Sequence, residues 1–216
     1  MERLFSLDNR LKTCASLVPY GARLVDVGTD HAYLPVWLLK NNRISYAVAS
    51  DINQKPLDSG RLTAEKYQTE NIEFRLGPGL ETLSRSDNID TAVIAGMGGE
   101  IIREIIGGSK LAKNLTLILQ PMTKSEVLIK YLCDNGFDII TQVCAGTGSK
   151  YYTILKVKYT GDVRKKDKSF FYLGKLDLSD ETCKKFVQNH IKNLENKSKG
   201  DSSLLPLIKE LKEKLK

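Results

Sequence analysis

Apolar residues recur along this chain in two rhythms, and the switching between them predicts a fold. Leu4, Leu7, Leu11, Cys14 and Val18 follow one another at steps of three and four, the spacing that lines one face of a helix over residues 1–18, and Pro19-Tyr20-Gly21 stops it. Short β-rich runs then alternate with helical stretches: strand 23–27, helix 33–41, strand 46–50, helix 56–67 and strand 72–76. The alternation continues with strand 91–95, helix 100–106, strand 116–119, helix 124–135 and strands 137–144 and 151–158. Repeated strand–helix units with short connections predict an α/β fold, a mostly parallel sheet with helices on both faces. Only residues 145–150 separate the last two strands, too few for a crossover helix, so these two are predicted as an antiparallel hairpin at the sheet edge.

The pattern changes after Thr160-Gly161. Residues 162–169 are highly charged, Phe170-Phe171-Tyr172-Leu173 is apolar, and Ser179 offers an N-cap for a helix over about 180–195. A second helix over about 203–215 carries Leu204, Leu207, Leu211 and Leu215 on one face, with Lys209, Lys212 and Lys216 elsewhere. Two domains are therefore expected, 1–160 and a helical 161–216. An antiparallel pair this short is unstable alone and must bury its leucines on the rest of the chain or on a partner. A monomer is expected, with dimerisation through this tail left open.

Charge sharpens the division. The net charge is +7; residues 1–159 hold 19 Lys and Arg against 17 Asp and Glu, and residues 160–216 hold 14 against 9. A basic tail on a near-neutral domain suits attraction to a polyanion such as nucleic acid. The 216 residues have a mean hydropathy of −0.27, and the longest run without a charged side chain, 139–149, is eleven residues, about half of a membrane-spanning helix. The first eight residues lack a secretory signal pattern, and a cytoplasmic protein without membrane association is expected. Cys14, Cys133, Cys144 and Cys183 show no CxxC spacing and there are two histidines, so no metal site is expected.

In an open parallel sheet, ligands bind beyond the carboxyl ends of the strands. The first predicted strand ends in Asp26-Val27-Gly28-Thr29-Asp30-His31-Ala32. This turn lacks the GxGxxG that brings a pyrophosphate onto a helix N-terminus, which argues against a dinucleotide oxidoreductase. Asp26 and Asp30 around a single glycine attract a cation or hydrogen-bond donors instead. The second strand ends at Asp51, where a carboxylate commonly grips a ribose diol, although an aspartate there also serves as a turn residue. Gly77-Pro78-Gly79 follows the third strand and reads as a close-approach turn beside a base pocket or as a plain turn. Ala95-Gly96-Met97-Gly98-Gly99 follows the fourth, with almost no side-chain bulk, so a ligand or backbone approaches closely there. Gln120-Pro121 ends the fifth strand as rim or strand stop.

With these residues in place, the sequence resembles the class I S-adenosylmethionine-dependent methyltransferases: VDVGTDHAYLP is similar to their first motif and VASDIN to their acidic second one. DVGTDHAYLP, RLGPGL, IAGMGG and LQP, in this order and spacing, resemble the bacterial tRNA adenine-22 N1-methyltransferase family over the entire chain. Pro78 stands where a polar residue is expected between the two glycines. The resemblance implies a Rossmann-like methyltransferase sheet with an antiparallel last strand and a coiled-coil-like C-terminal appendage. It also implies S-adenosylmethionine as cofactor, held by Asp26, Gly28, Thr29, Asp30, His31, Asp51, Ile52, Gly77, Pro78, Gly79, Ala95, Gly96, Met97 and Gly98. The implied partner is tRNA. Adenine N1 is a neutral lone pair whose methylation leaves a cation, so Asp30 is the candidate that receives charge or a proton, with His31 and Tyr33 orienting or stacking the base. The alternative reading of Asp30 is an N-cap. The chain lacks the Asn/Asp-Pro-Pro-aromatic tetrapeptide used for exocyclic amines, in keeping with a ring-nitrogen acceptor. Lys165, Lys166, Lys168, Lys184, Lys185, Lys192 and Lys199 are candidate phosphate contacts on charge alone. A methyltransferase-like RNA-binding protein without this activity, or one with another acceptor, is the alternative.

Overall fold

The computed structural model describes residues 4–163 and 165–216. Five parallel strands carry the alternation: β1 (Ala22–Val27), β2 (Ile44–Asp51), β3 (Ile72–Leu76), β4 (Thr91–Gly98) and β5 (Thr116–Thr123). Helices α2 (Tyr33–Lys40), α3 (Gln54–Lys66), α4 (Gly99–Gly108) and α5 (Ser125–Asp134) stand between or after them. The hairpin is β6 (Phe137–Thr147) and β7 (Lys150–Tyr159), joined by Gly148-Ser149. The sheet order is β3-β2-β1-β4-β5-β7-β6, so β7 inserts between β5 and β6 and runs antiparallel to both.

The central strands read as continuous apolar runs because both of their faces are covered. Leu24, Val93 and Ile118 point into one layer, where Cys14, Ala15, Leu34 and Leu38 pack on them from α1 (Asn9–Leu17) and α2. Val25, Ile94 and Leu119 point into the other, against Ile102 and Ile106 of α4 and Leu128 and Leu132 of α5. From β3, Arg75 reaches the Asp87 carboxylate with both terminal nitrogens, at 2.7 and 2.8 Å, and the Thr82 carbonyl at 3.0 Å. That fork anchors the segment behind the Gly77–Gly79 turn, and the guanidinium holds the Asp87 carboxyl well below the usual carboxylate range.

Several boundaries differ from the sequence reading. The first helix starts at Asn9, not near the first residue, because Asp8 accepts the Leu11 backbone N–H at 2.7 Å and caps it. Leu4 and Leu7 precede it outside any helix or strand, with Leu7 buried, and residues 1–3 lie outside the described residues. Residues 96–98 and 120–123 continue β4 and β5 rather than forming loops, with register shifts around Met97.

The tail folds as α6 (Lys168–Leu173), α7 (Glu181–Ser198) and α8 (Leu205–Lys214). α6 is not legible as an element in the sequence reading; its cap is Asp167, which accepts the Phe170 N–H at 2.7 Å. Asp180, not Ser179, caps α7 by accepting the Cys183 N–H at 2.8 Å, while Ser179 bonds to Asp177. Leu207 and Leu211 of the leucine stripe are buried with Phe186, Val187, Ile191 and Leu194 in a separate apolar cluster that includes Cys144 and Tyr151 of the hairpin. The stripe is thus covered by this chain, and α7 lies against β6 and β7.

Candidate active site at the carboxyl edge of the sheet

Four of the predicted segments are tied together at one edge of the sheet. The Ser50 carbonyl, near the end of β2, accepts the backbone N–H groups of Gly28 and Thr29 at 2.8 and 3.0 Å. The Asp51 carbonyl accepts the Gly77 N–H at 2.9 Å, which brings the turn after β3 alongside. Gly28 has φ +72, and a Cβ there would strike the terminal methyl of Met97 from β4. Glycine adopts this left-handed backbone without strain, and any larger residue would have to displace the Met97 methyl.

Asp26 is the buried carboxylate of this edge. Loss of water raises it to about 6, opposed by the nearby Thr29 hydroxyl and the Arg10 guanidinium. The Thr29 hydroxyl is not in hydrogen-bonding geometry toward it, and the buried Thr29 Oγ1 and Ser50 Oγ atoms have no partner in the chain. An unpartnered hydroxyl at Thr29 beside the buried acid is a costly arrangement that a polar ligand would relieve, while Ser50, in register with Val27, lies on the other face of the sheet from Asp26. Asp51 is half-buried, and its Oδ1 accepts the Asn53 N–H at 2.7 Å. The turn role is therefore real, and it engages one of the two carboxylate oxygens. Ile52 beside it is 68% exposed, an apolar surface at the rim, and Pro78 is also exposed.

The start of α2 is strained and polar. His31 and Ala32 both have positive φ, 57 and 52, and α2 begins with no side-chain cap. Asp30 is therefore not spent on capping: its carboxylate is 87% exposed, 3.5 Å from His31 Nε2. His31 stacks on Tyr33 with ring centroids 5.3 Å apart and 13° between planes, and Phe5 meets Tyr33 edge-on at 5.0 Å. Consecutive left-handed residues without glycine are rare outside sites that use the geometry.

The fourth strand is held from behind. Gln120 is fully buried, and its Oε1 accepts from Arg10 Nη1 at 2.8 Å and from the Gly96 backbone N–H at 3.0 Å. Its Nε2 donates to the Pro121 carbonyl at 3.0 Å. Sequence reasoning missed Arg10, which sits on an amphipathic helix with no local signal. Gln120 reads in the sequence as rim or strand stop; the structure buries it inside β5, which runs on to Thr123. Ser50 was missed too, although a hydroxyl inside the apolar run Tyr46–Ser50 was a usable sign. The lysines assigned on charge are dispersed: Lys184 pairs with Glu181 at 3.2 Å, Lys185 lies over the Tyr151 ring at 5.9 Å, and Lys166 lines a recess with Phe137 and Asp138 at the opposite edge of the sheet.

Comparison with known proteins decides the family. A model described as a methyltransferase domain matches residues 7–155. The tRNA (adenine(22)-N(1))-methyltransferase of Bacillus subtilis is 36% identical over 159 residues, which cover 72% of this chain and 66% of that enzyme. The structure of a Streptococcus pneumoniae protein assigned to tRNA (m1A22) methylation, in complex with S-adenosyl-L-methionine, superposes with a TM-score of 0.87 at 32% identity. The match covers 98% of this chain and 100% of that one. The chain belongs to the tRNA (m1A22) methyltransferase family. The crystal structure of the B. subtilis m1A22 methyltransferase superposes with a TM-score of 0.77 at 26% identity, over 99% of this chain and 97% of that one, so the C-terminal helices are part of the family fold. No helix among the described residues is long and apolar enough to cross a membrane.

Proposed function

We propose that this protein transfers a methyl group from S-adenosylmethionine to N1 of an adenine in tRNA, at position 22. The observation that carries the reading is the edge itself: a buried acid with an unpartnered buried hydroxyl at Thr29, and a glycine turn, lie beside an exposed carboxylate and a stacked His–Tyr pair. Asp26, Gly28 and Thr29 fit a cationic, polar cofactor, with Asp51 and Ile52 toward its ribose and base and Gly77, Pro78 and Gly79 closing the base side. Ala95, Gly96, Met97 and Gly98 form the opposite wall. Bound S-adenosylmethionine supplies an electrophilic methyl on a sulfonium.

The chain does the rest. Adenine N1 needs no base to become a nucleophile, so catalysis is positioning plus stabilisation of the charge that appears on the ring. Asp30 faces solvent with its carboxylate free to accept a hydrogen bond, or the proton, from the exocyclic amine. His31 and Tyr33 present a flat aromatic surface on which the base stacks. The adenine leaves its stack to reach this edge, at a cost of a few kcal/mol offset by contacts elsewhere on the RNA. We read residues 1–160 as the catalytic domain and 161–216 as the part that helps hold tRNA, and such an enzyme works in the cytoplasm. The test is incubation of unmodified tRNA with methyl-labelled S-adenosylmethionine, followed by digestion: label in 1-methyladenosine is expected.

Asp26 makes cofactor binding depend on pH. Because burial raises its folded pKa to about 6, the carboxyl is charged at neutral pH, and folded stability falls as pH rises from about 4 to about 6. A cationic ligand favours the charged form and lowers that pKa, so affinity is full above about 6 and declines below it. The dissociation constant for S-adenosylmethionine should rise roughly tenfold between pH 7.5 and 5. In Asp26→Asn, titration calorimetry should find weak binding with no such slope; a variant that binds as wild type with the same slope contradicts the assignment.

A further inference from the structure

Beside the proposed methyl-transfer edge lies a cleft of about 740 Å³ that the site above does not use. One wall is the end of β5 and the start of α5, from Pro121 to Glu126; the other is α7, with Tyr151 and Tyr172 closing it. Its mouth adjoins the reaction edge directly, since Met97 pairs with Pro121 and Gly98 with Thr123. Met97 and Gly98, which wall the proposed cofactor site, thus border this cleft as well.

The side chains on the α7 wall are polar and unspent. Asn189, Asn193 and Asn196 follow at steps of four and three along one face of the helix, line the cleft, and form no hydrogen bond with the described residues. His190 is also without a hydrogen-bond partner, its ring held by Phe186 at 4.6 Å and Tyr172 at 5.9 Å. Burial pushes the His190 imidazole down, against the pull of Glu126, the one carboxylate lining the cleft, so it offers a donor and an acceptor at neutral pH. Lys124 is held by Glu100 at 2.6 Å, but Lys150 and Lys197 line the cleft with no ion pair among the described residues. Amides along an exposed helix face, a half-buried imidazole, aromatic rings at the ends and free ammonium groups form a set that reads base edges, stacks bases and neutralises phosphates. With Lys124, Lys150 and Lys197 against Glu126 in its lining, the cleft suits a polyanion.

We propose that this cleft holds an unpaired nucleotide of the tRNA next to the methylated adenine, its base toward Asn189, His190 and Asn193 and its phosphates on Lys150 and Lys197. The proposal rests on the methyltransferase reading, because it needs tRNA at this edge. Two variants of the full chain test it, Lys150→Ala with Lys197→Ala, and Asn189→Ala with Asn193→Ala; alanine on an exposed helix face favours the helix, so the second pair keeps the fold.

Affinity for an unmodified tRNA transcript is measured by filter binding at several salt concentrations, with cofactor affinity measured separately. The lysine pair is expected to weaken tRNA binding about tenfold and to make the plot of log K against log salt shallower by roughly 1.4 to 1.8. The asparagine pair is expected to raise KM for tRNA roughly 5- to 10-fold, more than it lowers kcat, with the salt slope unchanged. Cofactor affinity stays as in wild type for both. Affinity, slope and KM within twofold of wild type in both variants would overturn the cleft assignment. A wild-type chain that binds tRNA without methylating it would overturn the methyl-transfer reading while the binding arms still judge the cleft; no tRNA binding at all overturns both.

Discussion

Replacing Asp30 with alanine is expected to slow methyl transfer to tRNA by roughly 10- to 100-fold, the loss of one charge-assisted hydrogen bond in the transition state. The carboxylate is 87% exposed and caps nothing, so the variant should unfold within about 0.5 kcal/mol of wild type. Its affinity for S-adenosylmethionine should change by only a few-fold, because water screens an exposed charge. Asp30→Asn separates two roles: it keeps an acceptor oxygen but removes the charge and the ability to take a proton. A rate near wild type in Asp30→Asn with a large loss in Asp30→Ala would assign hydrogen bonding alone. A rate near wild type in both would remove Asp30 from the mechanism. Single-turnover rates at saturating cofactor give the comparison free of product release.

The second large effect is expected at Gln120. Its Oε1 satisfies both Arg10 and the Gly96 N–H in a fully buried position, so Gln120→Ala leaves a guanidinium and a backbone donor without their acceptor. The expected cost is about 2–4 kcal/mol of folding stability, read from urea denaturation. The damage should also reach the chemistry, since Gly96 and Met97 form the wall of the site: kcat should fall even under conditions where the variant is fully folded. Gln120→Glu keeps the shared acceptor and loses the donation to the Pro121 carbonyl, and should retain more of both properties. Stability within 0.5 kcal/mol of wild type in Gln120→Ala would show that the three-way link carries no load.

These two residues mark where the sequence was legible and where it was not. Asp30 was readable because ligands gather at strand ends, and the residues after β1 are local to one another in the chain. Gln120 and Arg10 lie 110 positions apart, and no periodicity announces such a contact. The strand–helix alternation was legible because central strands buried on both faces are apolar throughout. The insertion of β7 between β5 and β6 was not, since strand order depends on which faces pack, not on spacing along the chain. The leucine spacing from Leu4 suggests a helix that Asp8 in fact starts later, because an irregular segment can bury Leu7 equally well. α6 is six residues long, too short for a period to register.

The most direct test of the account uses two transcripts of one tRNA, with adenine or guanine at position 22, incubated with the full chain and methyl-labelled S-adenosylmethionine, then digested to nucleosides. The account predicts label approaching one methyl per tRNA, recovered as 1-methyladenosine, from the adenine transcript and none from the guanine transcript. Equal label in both transcripts, or label in any other nucleoside, would contradict it, as would an unlabelled adenine transcript under conditions where the cofactor is shown to bind.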